Sequence, residues 1–253
     1  VNLGLSGRTA LVCASTGGLG EATARALAAE GAKVIVSGRR GDRARRIASE
    51  LPGAMGVEAD LLADGGPESL AATAGDIDIL VLNGPGPKPG TAAGTTADDV
   101  SAAVDTLVRP QQRLVSLALP GMRARGWGRI LAIGSSGVVS PLPNLAMSNL
   151  GRAALAGYLK TLAAEVAADG VTVNLLLPGR IATERVAALD AAAAERAGTS
   201  VAEAERRSRE AIPAGRYGRP DEFGAVAAFL CGEPAAYVTG VALRCDGGLV
   251  RTL

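Results

Sequence analysis

The chain has 253 residues, 48% of them hydrophobic and 20% charged, with a formal net charge of +1, three cysteines and no histidine. Without histidine there is no Ser-His-Asp triad, no Cys-His pair and no imidazole metal ligand. Cys13, Cys231 and Cys245 are too few for a four-thiolate zinc site and form no disulfide framework, which makes a reducing cytoplasm the expected location.

The near-balanced charge offers no bulk field for nucleic acid, and three tyrosines, two phenylalanines and one tryptophan give few stacking platforms. No uncharged apolar run approaches the roughly 18 residues of a membrane span. Val1 to Gly7 lacks the basic start and apolar run of a signal peptide. The expected partner is therefore a small-molecule substrate, with neither nucleic acid nor membrane involved.

Short apolar runs predict strands at Thr9–Ala14, Lys33–Ser37, Ala54–Glu58, Ile77–Leu82, Arg129–Gly134, Thr172–Leu177 and Ala242–Cys245. They are continuous rather than alternating, as expected of strands buried on both faces of a parallel sheet. Helical stretches lie between them at Leu19–Glu30, Asp42–Glu50, Asp98–Arg125, Leu145–Ala168 and Pro220–Cys231. This alternation predicts a single Rossmann-like α/β domain over residues 1–253: a doubly wound, parallel, seven-stranded sheet with helices on both faces.

Two segments break the rhythm. Gly84–Gly94, with three prolines and four glycines, reads as an irregular loop after a strand. A charged, Ala-rich helical insertion occupies about 182–213, with Ala182–Ala211 its clearest part. At the carboxyl end of the sheet it would act as a lid over the ligand crevice. A solvated helical pair is the plainer reading.

The first strand runs into Ala14-Ser15-Thr16-Gly17-Gly18-Leu19-Gly20 and then a helix. Strand, Gly-rich turn and helix, in that order, suit a dinucleotide cradle: Gly18 and Gly20 let backbone N–H groups approach a pyrophosphate at the helix N-terminus. The second strand ends without an acidic residue and is followed by Arg39 and Arg40. An acid there would select NAD, whereas arginine accommodates the 2′-phosphate of NADP(H), the cofactor expected here. The alternative is a solvated basic turn continuing through Arg43, Arg45 and Arg46.

These motifs resemble the short-chain dehydrogenase/reductase family over nearly the whole chain, in a divergent member similar to the 3-oxoacyl-acyl-carrier-protein reductases. The family's glycine turn matches Ala14 to Gly20, with Ala14 in place of its first glycine. Asp60, followed by Leu61, matches the acid that contacts adenine, and Asn83 matches an asparagine retained from the family's fourth-strand end. The segment Asn174 to Thr183 matches the Asn…Pro-Gly…Thr motif through Pro178, Gly179, Ile181 and Thr183. The resemblance implies that Ser15, Thr16, Leu19 and these residues hold the cofactor, with Ile181 and Thr183 at the nicotinamide carboxamide. It also implies a homo-oligomer, a tetramer or dimer. The tail motifs Gly218-Arg219-Pro220-Asp221-Glu222 and Asp246-Gly247-Gly248 agree.

The family's catalytic positions are altered. Its serine is present as Ser135, but counting forward puts Ser148 where tyrosine stands and Arg152 where lysine stands. Leu107 holds the place of the relay asparagine. Serine is a far weaker acid than a phenol, and arginine stays protonated, so it relays no proton. Tyr158 is ten residues past Ser148, roughly 15 Å along a helix. Tyr217 and Tyr237 fall in motifs that usually lie away from the nicotinamide.

Ser148 and Arg152, four residues apart on one predicted helix, share a face. The guanidinium suits a carboxylate or a developing oxyanion, and Ser135 and Ser148 can donate to the same oxygen. The bland readings are a space-filling Ser148 and an Arg152 that only touches the cofactor ribose. The expectation is an NADPH-dependent oxidoreductase of a conjugated enone or keto substrate, acting without a tyrosine acid, in secondary metabolism. A non-redox isomerase, dehydratase or cyclase, and a catalytically inactive partner protein, remain alternatives.

Overall fold

Apolar residues run unbroken through the central strands because both faces of the sheet are covered. The computed structural model describes residues 2–252; Val1 and Leu253, the ends of the expected 1–253 domain, lie outside the described residues. The strands are β1 (Thr9–Val12), β2 (Lys33–Gly38), β3 (Met55–Glu58), β4 (Ile79–Leu82), β5 (Gly128–Ile133), β6 (Val171–Pro178) and β7 (Ala242–Cys245). They form one parallel sheet in the order β3-β2-β1-β4-β5-β6-β7.

Alternate residues of each strand enter opposite cores. Ala10, Val12, Ile79, Val81, Leu131 and Ile133 pack beneath α1 (Gly18–Ala29), α2 (Gly41–Ser49) and α9 (Pro220–Cys231). Leu11, Leu80, Leu82, Ile130 and Ala132 pack beneath α3 (Gly66–Ala74), α5 (Arg109–Ala124) and α6 (Ala146–Val166). At the amino edge, the Asp78 carboxylate accepts from Thr9 N at 2.9 Å and pairs with Arg125 at 3.3 Å, tying β1 to the β4 and β5 entries.

The helix expected over Asp98–Arg125 is two: α4 (Ala97–Leu107) and α5. The break falls at Val108 because Pro110, in the first turn of α5, lacks an N–H and its ring clashes with the carbonyl four residues back. The short helix α3 is an addition to the expected elements; it starts at Gly65-Gly66-Pro67, a sequence that reads as a turn. The insertion forms α7 (Glu184–Ala197) and α8 (Val201–Glu210). Among the described residues α8 buries no side chain and is laced by pairs such as Arg206–Glu203 at 2.8 Å.

β1 stops at Val12, two residues short of expectation, because Ala14 adopts a left-handed backbone with φ 45°. The turn is closed from two sides. Asn83 Nδ2, just past β4, donates to Ala14 O at 3.1 Å. Gly20 lies so close that a Cβ there would sit 2.6 Å from Ala14 O and 2.9 Å from Asn83 Nδ2. Left-handed backbone costs a non-glycine residue about 1–2 kcal/mol. Ala14→Gly removes that strain at an entropic cost of about 0.5–1 kcal/mol. The expected net gain is about 0.5–1 kcal/mol, a Tm rise of about 2 °C, read by calorimetry. A fall in Tm would show that the turn is unstrained.

Candidate active site

The carboxyl ends of β1, β4, β5 and β6 open into one cavity of about 590 Å³. It lies at the point where the strand order reverses between β1 and β4, the usual ligand crevice of an open α/β sheet. Its wall is completed by the Gly84–Pro89 loop, by Leu142–Leu145, by α7 and by Leu249. Among the described residues no helix is long and apolar enough to cross a membrane.

Of the expected cofactor residues, Thr16, Gly18, Leu19, Arg40, Asn83, Arg152, Pro178, Gly179, Ile181 and Thr183 line this cavity. Gly20 is outside the cavity wall, packed against Ala14 O and Asn83. Ser15 turns inward instead: its hydroxyl donates to Val12 O at 2.7 Å and accepts from Ser37 N at 2.9 Å, sewing the turn to β2. Arg39 is exposed and outside the cavity wall. Asp60 is also exposed, accepting from Leu62 N at 3.0 Å, and Leu61 packs against the core; neither reaches the cavity.

Arg40 Nη2 donates to Thr16 O at 2.8 Å, and beside it stands Arg43, which sequence reasoning assigns to a solvated basic turn. Both guanidiniums overhang Gly17: their Nη2 atoms lie 3.2 and 3.6 Å from the point where a Cβ on Gly17 would fall. Arg43 Nε is buried without a hydrogen-bond partner, and its nearest carboxylates, Glu21 and Glu184, are 3.6 and 3.8 Å from its Nη atoms. The signal that could have found it is its place in the first turn of α2, three residues after Arg40.

At the other end, Ser135, Ser148 and Arg152 line the same cavity. Ser135 Oγ caps a 3-10 turn, Ser136–Val138, by accepting from Gly137 N at 3.1 Å. Asn149 donates to Leu142 O at 2.9 Å and so clamps the preceding loop to α6. Arg152 Nη1 donates to Ile133 O at 3.1 Å and Gly134 O at 3.3 Å. Burial, and then the nearby charge of Arg185, push the Arg152 pKa down to about 10, so it remains a cation at neutral pH. Leu107 lies outside the cavity wall and packs against α6, where a Cβ on Gly151 would meet its Cδ1 at 2.7 Å.

Among the described residues, no tyrosine, lysine, cysteine or histidine lines the cavity. Tyr158 faces the α5–α6 core, where burial raises its pKa. Tyr237 is fully exposed. Cys13 and Cys231 sit in the core with thiols pushed up to about 12 by burial, so they stay protonated.

A family model described as Enoyl-(Acyl carrier protein) reductase matches residues 13–250. The 3-oxoacyl-[acyl-carrier-protein] reductase FabG of Aquifex aeolicus is 34% identical, over 97% of this chain and 98% of its own length. Among solved structures, YwfH, an NADPH-dependent reductase of bacilysin biosynthesis, superposes with a TM-score of 0.93 at 26% identity, covering 98% of this chain and 100% of that one. A single-substitution variant of the actinorhodin polyketide ketoreductase, with NADPH, has a TM-score of 0.90 at 32% identity, covering 96% of this chain and 97% of that one.

The wall formed by α7 is fastened by a buried carboxylate. Asp190, 1% exposed, accepts from Arg180 Nη1 at 2.8 Å and from the Tyr217 hydroxyl at 2.7 Å. The pair links α7 to the β6 end and to the segment before α9. Asp190→Asn leaves Arg180 without its counter-charge in a half-buried position, a loss of about 2–3 kcal/mol. Amide exchange in α7 is expected to speed up at least about tenfold while β4–β6 protection is unchanged. Uniform loss of protection would show that Asp190 supports the whole fold instead.

Proposed function

Since the chain belongs to the short-chain dehydrogenase/reductase family, we propose that it is an NADPH-dependent oxidoreductase of a conjugated enone or activated keto compound. The observation that carries this reading is the cavity wall itself. Ser135, Ser148 and Arg152 line one cavity, and among the described residues no side chain with a phenol, amine, thiol or imidazole joins them there.

The chain's residues fit the cofactor. The first turn of α1 has no side-chain cap, so its N–H groups are free for a pyrophosphate. Arg40 and the unpartnered Arg43 Nε offer donors for a 2′-phosphate, which favours NADPH over NADH. Thr183 lies across from Gly18, with its Cγ2 3.8 Å from the position of a Cβ there. The cofactor supplies hydride.

Ser135, Ser148 and Arg152 then do work that needs no strong acid. With hydride added at the β-carbon of an enone, the C=C electrons would shift and the carbonyl oxygen would become an enolate oxyanion. The two hydroxyls donate to that oxygen and the fixed guanidinium neutralises it. The α-carbon takes its proton from solvent. Arg152 is suited to this part because it stays charged throughout. Two of the similar structures are a reductase of bacilysin biosynthesis and an actinorhodin polyketide ketoreductase, which supports a tailoring step in secondary metabolism here.

Titration with NADPH, NADP+ and NADH, followed by absorbance at the nicotinamide band with enone and ketone panels, tests the reading. NADPH binds more tightly than NADH and is oxidised in the presence of enones. Product without net oxidation would replace the reading with a non-redox one, and no nucleotide binding would point to a non-catalytic partner. Arg152→Ala lowers turnover about 100-fold and Ser148→Ala about 10-fold. Equal, negligible effects would place the chemistry elsewhere.

Turnover is expected to be flat between about pH 6 and 9, since no cavity phenol or amine titrates there. It falls as pH rises through about 10, where Arg152 loses its proton. A limb near neutrality would reveal a phenolic acid and refute the assignment.

A further inference from the structure

The lid helix carries charge that hydride transfer itself does not need. Arg185, Leu189, Ala193 and Arg196 recur at helical spacing along α7, and all four line the cavity. Arg185 crosses the cavity mouth to the facing loop. Its Nη2 lies 2.7 Å from where a Cβ on Gly86 would be, so the bare backbone at Gly86 gives the guanidinium its room. Arg185 and Arg152 line the same cavity, and the charge of Arg185 lowers the Arg152 pKa.

Among the described residues neither of these two cavity cations is paired with a carboxylate. The carboxylates nearest the cavity on the lid are turned elsewhere: Glu184 lies 3.8 Å from Arg43, and Asp190 is bound to Arg180. Arg152 spends only Nη1 on backbone carbonyls, which leaves Nε and Nη2 for a ligand. Like charges in a partly desolvated pocket repel, and an anion placed between them converts that repulsion into two attractions. Leu142, Leu145, Leu189 and Leu249 give the wall nearby an apolar part, beside Asn144 and Arg196.

We propose that the substrate is itself an anion: a small, mainly apolar carbonyl compound whose carboxylate is seated between Arg185 and Arg152. The inference rests on the reductase reading for the position of the reacting carbon, but the carboxylate seat is a binding property that can be measured without turnover. Arg185 takes the carboxylate from the α7 side and one free Arg152 nitrogen takes it from α6, while the other free Arg152 nitrogen, Ser135 and Ser148 serve the reacting oxygen. Helix α7 is then a recognition element that carries the second cation to the substrate. A nucleotide diphosphate is the other anion with the same chemistry, so the experiment must separate the two.

The probes are 4-oxopentanoate and its methyl ester, titrated calorimetrically into the protein with and without saturating NADP+. The carboxylate is expected to bind at least about tenfold more tightly than the ester, a preference of about 1.4 kcal/mol. In Arg185→Met the preference shrinks below about threefold, Arg185→Lys restores part of it, and the Kd for NADP+ changes less than about twofold. Equal binding of acid and ester, or no acid binding up to about 10 mM, overturns the proposal. So does an Arg185→Met protein that keeps the preference but binds NADP+ about tenfold more weakly, because Arg185 would then serve the diphosphate. A protein that shows the preference but oxidises no NADPH with any enone retains the anion seat and loses the reductase reading.

Discussion

The close approach of Ala14, Gly20 and Asn83 is the constraint on which the crevice depends. Three segments meet there: the backbone at the end of β1, the backbone of the first turn of α1, and the Asn83 side chain just past β4. No side chain fits at Gly20, and the amide of Asn83 holds the Ala14 carbonyl. That contact aims the N-terminus of α1 across the carboxyl edge of the sheet at the point where the strand order reverses. The other cavity walls come from strands whose parallel register carries their carboxyl ends to the same edge. Ala14 tolerates a glycine-like backbone because the surrounding contacts over-determine it.

Charge in the crevice is arranged by where carboxylates have been taken away. Arg40 and Arg43 overhang the glycine turn, and Arg152 and Arg185 stand near each other further along. Among the described residues the one acidic member of the cavity wall, Glu184, leans toward Arg43, and the buried Asp190 is consumed by Arg180 and Tyr217. A half-desolvated cation without a partner is unfavourable in isolation, so the arrangement favours ligands that bring their own negative charge. It also makes guanidinium, a group that neither gives nor takes a proton at neutral pH, the dominant chemistry of the site.

The tyrosines show why proximity in sequence is a poor guide to a proton donor. Tyr158 shares α6 with Ser148 and Arg152 but falls on the face that packs into the α5–α6 core. Tyr217 is held by Asp190 behind α7, and Tyr237 stands in solvent. Ser148 and Arg152, at a spacing of four, keep to the face that looks into the cavity.

The strands, their parallel pairing and the glycine turn were legible in the sequence, because local apolar runs and turn chemistry determine them without distant partners. The i, i+4 relation of Ser148 and Arg152 was legible for the same reason: helix geometry is local. Helix α3 and the break at Val108 were not read from the sequence, since proline and glycine mark both turns and helix starts. What only the tertiary structure decided is which side chains converge. Ser15 faces inward and Arg39 outward although both flank cavity residues, and Arg43 joins Arg40 over Gly17 from a separate helix. Arg185 meets the Gly86 loop and the neighbourhood of Arg152 across long stretches of chain. Such meetings depend on how helices pack on a finished sheet, and no local pattern of residues encodes the distance between them.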